Sequence, residues 1–171
     1  MSMLRISGAL AAALLFVAPA FANAPPPPPT EAATIPPEIF VKSVYDTKLE
    51  SQAVSPEFGA AMNDSVVLSH FTPDLLALYK VAIDSGEPVV DGDVFWNAQD
   101  WDDKIEVATK TTANDGKTAT VEASFKILGQ DRTMIFALKA LREGWQIDDI
   151  TSESGSMRKW LAEDTAAAAA P

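Results

Sequence analysis

The chain has 171 residues, 24 Asp and Glu against 13 Lys and Arg, a formal net charge of −11 and no cysteine. The missing thiols exclude a disulfide framework, a thiol nucleophile, a Cys-ligated zinc and a lipid-bearing cysteine. The acidic balance argues against nucleic acid or an anionic membrane surface as main partner, because both reward Lys and Arg, and 47% hydrophobic residues over this length fit one domain with its own core.

Residues 1–22 read as a cleaved secretory signal. Arg5 is the only charge before Glu31, residues 6–21 are apolar or small, and Ala20-Phe21-Ala22 places small residues at −3 and −1 of a cut after Ala22. That apolar run is shorter than the ~20 residues that span a bilayer. A retained anchor is the alternative, and no later segment is long and apolar enough to span. The short basic start and Ala-rich centre point to a bacterial, periplasmic destination. Residues 23–37 form a Pro-rich linker. Its five consecutive prolines, Pro25 to Pro29, favour polyproline II, as a stiff spacer or an unstructured leader.

The domain is expected over 38–163. Phe40, Val41, Val44, Tyr45 and Lys48 recur at helical spacing behind Pro37, a good first-turn residue. Residues 50–58 lack periodicity and carry Pro56, which predicts a loop. A short helix is expected over 64–71. Thr72-Pro73-Asp74 supplies a cap, a first-turn proline and an acid at the positive dipole end. Leu75, Leu76, Tyr79, Ala82 and Ile83 then make one stripe, and Gly86 stops the helix.

The second half alternates with period two. Residues 104–112 put Ile105, Val107, Thr109 and Thr111 on one face. Asn114-Asp115-Gly116 predicts a hairpin turn. Residues 118–128 put Ala119, Val121, Ala123, Phe125 and Ile127 together, and Gly129-Gln130-Asp131 turns the chain. Residues 132–141 are apolar on both faces around Met134 to Leu138, as in a central or doubly covered strand. After Arg142-Glu143-Gly144, residues 145–151 form a last strand. In it Asp148-Asp149 break the alternation, which a bulge, a strand end or a cap for the closing helix would resolve; a carboxylate lining a cleft is the alternative. Residues 156–163 close the domain as a helix with Met157, Trp160 and Leu161 inward, and 164–171 are an Ala-rich tail expected to be disordered. The predicted class is α+β, with N-terminal helices packed on a curved antiparallel sheet of about four strands and a closing C-terminal helix.

Four segments in this order carry a resemblance: Phe40-Val41-Lys42-Ser43-Val44-Tyr45, Phe71-Thr72-Pro73-Asp74-Leu75-Leu76, Asn97-Ala98-Gln99-Asp100-Trp101 and Gly144-Trp145-Gln146-Ile147-Asp148-Asp149-Ile150. Together they resemble the exported bacterial domain of unknown function family 3828, within the cone-shaped α+β group typified by nuclear transport factor 2 and ketosteroid isomerase. The resemblance, over about residues 38–152, implies an envelope location and a cone with a cleft. It implies no settled activity.

Residues 84–106 hold eight acids and one lysine, with Phe95, Trp96 and Trp101 among them. They read as a binding loop at the mouth of a cone, or as a solvated loop whose aromatics plug the core. Asp91, Asp93, Asp100, Asp102 and Asp103 are hard oxygen donors, but their spacing fits no helix-loop-helix calcium pattern and no metal site is expected. Gln99 and Asp100 sit among apolar neighbours. Asp100 caps a turn or, in a dry cleft, acts as a general base of the ketosteroid-isomerase kind, a worked case of pKa tuning. That chemistry needs a phenol, and Tyr45 and Tyr79 are the only tyrosines. His70, the sole histidine, reads as a capping or half-buried residue.

The leading expectation is an exported, non-enzymatic periplasmic binding or accessory protein. Trp96, Gln99, Asp100 and Trp101, with Tyr45, would line its ligand or partner surface. An isomerase or hydrolase using Asp100, and an envelope inhibitor or immunity protein, are the alternatives. An envelope protein of basic surface or a small apolar ligand is the expected partner, with no cofactor and no nucleic acid, and a homodimer through the sheet is a further option.

Overall fold

The computed structural model describes residues 35–54, 68–84, 93–98, 100–102 and 104–168. The signal and most of the linker, residues 64–67 of the helix expected over 64–71, the stop at Gly86 and the placement of Gln99, Asp91 and Asp103 lie outside these residues, while Phe71, expected in that helix, instead forms a bridge with Ile147. Helices α1 (Pro37–Val54) and α2 (Pro73–Asp84) precede strands β1 (Ala108–Asn114), β2 (Thr118–Ile127), β3 (Gln130–Leu141), β4 (Gly144–Ser152) and β5 (Gly155–Ser156), and helix α3 (Met157–Ala168) follows. The sheet is an antiparallel meander in chain order, β1-β2-β3-β4-β5.

Pro36 accepts the first helical bonds of α1, from Ile39 N at 3.0 Å and Phe40 N at 3.1 Å. Val41, Val44, Tyr45 and Lys48 face inward at helical spacing and are sealed from solvent. The helix runs on to Val54, through residues expected to be a loop. Glu, Gln and Ala favour helix and no proline intervenes before Pro56, so the helix needs no apolar period to continue. In α2 the cap forms as expected: Thr72 Oγ1 accepts the Leu75 amide at 3.3 Å.

The hairpins place positive φ where the turns need it. Asp115 Oδ1 accepts Lys117 N at 2.8 Å and Thr118 N at 2.6 Å beneath Gly116. Between β2 and β3, Ile127 pairs with Gln130, so Leu128-Gly129 alone form the turn and β3 starts two residues earlier than expected. Both have positive φ, 48° and 77°, the two-residue geometry that matches strand twist. β1 begins at Ala108 rather than residue 104, although Ile105 and Val107 keep the buried alternation ahead of it. On β1, Thr109 Oγ1 donates to the Glu38 carbonyl at 2.9 Å and Thr111 Oγ1 to the Glu38 carboxylate, which pins the start of α1.

The Asp148-Asp149 conflict is resolved by a bulge. Ala137 pairs with Asp149 and Leu138 with Ile147, leaving Asp148 as the extra residue, so Ile150 returns to the buried face. Asp148 Oδ1 then receives Thr72 Oγ1 at 3.0 Å and the Arg158 guanidinium at 2.6 Å, with Lys139 Nζ at 3.0 Å. Asp149 caps α3: its Oδ1 accepts Arg158 N at 2.9 Å and its Oδ2 accepts Ser156 Oγ at 2.6 Å. The bulge thus joins α2, β3 and α3.

Two expectations are corrected. The sheet has five strands rather than about four, because Ser152 and Gly155 pair across a tight turn. The closing helix continues to Ala168 rather than fraying after Glu163, as alanine, the best helix former, allows. The helices cover the sheet face carrying Val121, Ala123, Phe125, Met134, Phe136 and Leu138. β3 is central, yet it is covered on one face only among the described residues, with Ala137 exposed. No helix of the described residues is long and apolar enough to cross a membrane.

Candidate functional site

Tyr45 and Trp96, expected to line the ligand or partner surface, are each 0% exposed. Their ring centroids lie 5.0 Å apart, and both rings pack on Phe125, at 5.7 and 5.1 Å. The Tyr45 hydroxyl donates to the Phe95 carbonyl at 2.9 Å. Burial, and secondarily the charge of Asp93, push its phenol well above the usual tyrosine range. The two rings fill the space between α1 and the sheet. Trp101 is half-buried against the same core, and Asp100 is exposed. Asp100 therefore does not sit in a dry cleft, and the Tyr45 hydroxyl is committed to a carbonyl. Tyr79 is buried, which raises its phenol too.

Beneath these rings lies a buried polar node. Lys48 Nζ stands 2.6 Å from Asp93 Oδ2, with side-chain exposures of 1% and 4%, and 5.1 Å from the Phe95 ring centroid. The other oxygen of Asp93 accepts Phe95 N at 2.8 Å and Trp96 N at 3.3 Å. Asp93 N donates to the Ala98 carbonyl at 3.0 Å and Asn97 N to the Asp93 carbonyl at 2.8 Å, closing residues 93–98 into a tight loop. One carboxylate thus shapes the loop and fastens it to α1. In the sequence Lys48 lies on the helical stripe and Asp93 among the loop acids, and no spacing joins the two. The signal was a lysine on an apolar stripe, which demands a buried counter-charge. Among the described residues no group of three or more His, Cys, Asp or Glu side chains could hold a metal ion.

An opening lies just past Trp101. A groove of about 650 Å³ separates Asp102, Lys104 and Glu106 from the β2–β3 hairpin, where Lys126, Asp131 and Arg132 line it with Phe125 and the hydroxyl residues Ser124 and Thr133. Three acids and three bases share its lining. Lys126 pairs with Asp131 at 2.9 Å, and Arg132 with Glu153 at 2.5 Å. At the adjoining hairpin tip Leu128 is 62% exposed at φ +48°, and its amide donates to Asp102 Oδ2 at 2.8 Å. A leucine there gives up local backbone stability to show an apolar side chain to solvent. The sequence carried this signal as a non-glycine residue before Gly129, but the turn was expected one residue too late.

No family model matches the chain, and no curated protein matches it. Among solved structures, it is similar to a phospholipid-binding protein from Ralstonia solanacearum, determined in complex with a phospholipid. The two share 14% identity at a TM-score of 0.49, over 78% of this chain and 98% of that one.

Proposed function

We propose that this chain is a non-enzymatic binding or accessory protein of the bacterial envelope, exported by residues 1–22 to the periplasm and built as a nuclear transport factor 2-like cone of the exported family 3828. Its partner surface is the β2–β3 hairpin tip with the adjoining groove. The observation that carries the reading is Leu128, an exposed leucine held at positive φ beside a groove lined by charges of both signs. Backbone strain with no packing return is found where a surface is selected for contact. The mixed charges favour a protein partner of complementary pattern over a purely apolar ligand. Export rests on the short basic start, the apolar run and the small residues before the cut.

The test is a crosslinking pull-down of the tagged mature chain from native envelope extract, run beside Leu128→Asn and Lys104→Glu. Asparagine suits the left-handed turn position, so Leu128→Asn should melt at or above the parent. A stoichiometric protein captured by the parent and lost from both variants supports the reading. Capture undiminished in Leu128→Asn places the partner elsewhere, and a small molecule recovered without protein replaces the accessory role with that of a carrier.

A further inference from the structure

β1 stops short of its own pattern. Its ladder with β2 steps regularly from Thr111↔Val121 to Ala108↔Ser124 and ends there, while β2 runs on beside β3 to the closing pair Ile127↔Gln130. Carried on at the same step, the register would set Val107 against Phe125, Glu106 against Lys126, Ile105 against Ile127 and Lys104 against Leu128. All four pairs already match in burial. Val107, Phe125, Ile105 and Ile127 are buried, and Glu106, Lys126, Lys104 and Leu128 are exposed. Glu106 and Lys126 are also opposite in charge. Yet among the described residues no main-chain hydrogen bond joins residues 104–107 to β2, and the groove lies between them.

Main-chain groups of β2 face that groove. The two-residue turn Leu128-Gly129 makes Ile127 and Gln130 a hydrogen-bonded pair, so Lys126, one residue back, turns its N–H and C=O away from β3 and toward residues 104–107. Two side-chain contacts occupy the places of the missing rungs. The Asp102 carboxylate takes the Leu128 amide at 2.8 Å, a donor that the continued ladder would give to the Lys104 carbonyl. Asp131 holds Lys126 Nζ at 2.9 Å, the cation that Glu106 would take.

We infer that residues 104–107 are a strap that zips onto β2 in this register and closes the groove, with Asp102 as the latch that holds it open. Zipping exchanges like for like. The Leu128 amide trades a carboxylate for a carbonyl, Lys126 trades one exposed acid for another, and its main chain trades water for a strand. Such exchanges at exposed groups carry small free energies. Both states are therefore within reach, and a partner seated in the groove selects the open one. Only this last consequence rests on the reading of the groove as the partner surface.

The experiment crosslinks the strap in the mature protein. The chain has no cysteine, so Glu106→Cys with Lys126→Cys reports one distance. In the zipped register these Cα atoms lie about 5.5 Å apart, within disulfide reach. Glu106→Cys with Asp131→Cys is the control, because Asp131 sits on the next strand, about 10 Å from the strap and out of reach. In oxidised glutathione the first pair should close about tenfold faster than the second or more, and adding Asp102→Ala should quicken it several-fold. In the parent, which carries no substitution, NMR should show the Ile105 and Ile127 α-protons in contact, as in a non-hydrogen-bonded pair. The first variant, once oxidised, should lose the envelope protein that its reduced form captures. Equal closing rates, no change on Asp102→Ala, no α-proton contact in the parent, or equal capture by the oxidised and reduced forms would overturn the strap. Closing rates as expected, with no capture by the parent or the reduced form, would instead defeat the partner surface and leave the strap standing.

Discussion

The ammonium of Lys48 and the carboxylate of Asp93 form an ion pair at 2.6 Å inside the core, where neither side chain meets water. Breaking such a pair from one side leaves a bare charge in a poorly solvated interior. Lys48→Met and Asp93→Asn should each lose about 3–5 kcal/mol. Asp93→Asn keeps an acceptor for the Phe95 and Trp96 amides, so its loss isolates the stranded ammonium. The double variant should recover most of the loss, since well-packed neutral groups replace a buried pair at little net cost. Urea unfolding of all four proteins measures the coupling; a double variant equal to the sum of the singles would mean no interaction across the pair.

Tyr45 supplies a second test of the same core. Tyr45→Phe leaves the buried Phe95 carbonyl without its donor and should cost about 1–3 kcal/mol. Because its folded pKa is raised, the unfolded chain loses the phenol proton first, so stability should fall as pH rises above the ordinary 10.0. Phenolate absorbance should then appear together with loss of the near-ultraviolet signal rather than before it.

The α+β order, the stripes of α1 and α2, the strands and the Asp148-Asp149 irregularity were legible because each repeats a spacing or breaks one. Leu75 and Val121 are buried where their periods put them. The site was less legible. Trp96 and Asp100 are neighbours in sequence, but the tight loop closed by Asp93 turns one into the core and leaves the other outside. That inversion depends on Lys48, distant in sequence, and period alone does not reveal long-range charge pairing. Leu128 escaped for another reason: alternation extends a strand to its last apolar residue, while the turn takes that residue for its own geometry.

Asp149 should prove the larger loss of the two bulge acids for α3. Asp149→Ala removes the acceptor of the Arg158 amide and of the Ser156 hydroxyl, and should cost about 1–2 kcal/mol. Hydrogen exchange at the first amides of α3 should speed up in this variant before the sheet amides do. Equal acceleration throughout would show that α3 opens only with the whole domain.

Acid should weaken the fold in two separable steps. Burial lowers His70 below its ordinary 6.5, so the unfolded chain takes up a proton first and stability declines as pH falls from there to the folded pKa. The Thr111 hydroxyl and a backbone donor lower Glu38 below its ordinary 4.5. Its contribution is full above that value and lost as pH falls through the folded pKa. Melting midpoints across pH should show both declines. His70→Phe, which keeps a ring against Phe40, should erase the first, and Thr111→Val should shrink the second. A parent profile flat from neutral pH to 4.5 would remove the histidine step.

Gly155 couples the last turn of the sheet to α3. Its φ is +127°, and a Cβ built on it would come within 2.9 Å of Trp160 Nε1 and 3.1 Å of two carbons of that indole. Gly155→Ala therefore meets two independent obstacles, a backbone conformation that L-residues avoid and a ring already in place. Together they should cost about 1–3 kcal/mol. Adding Trp160→Leu removes the steric part and leaves the backbone part, so the double variant should recover some stability relative to Gly155→Ala, after allowance for the packing lost with the indole. Thermal melts of the parent, both single variants and the double separate the terms. Strict additivity would mean that backbone strain alone keeps glycine at this turn.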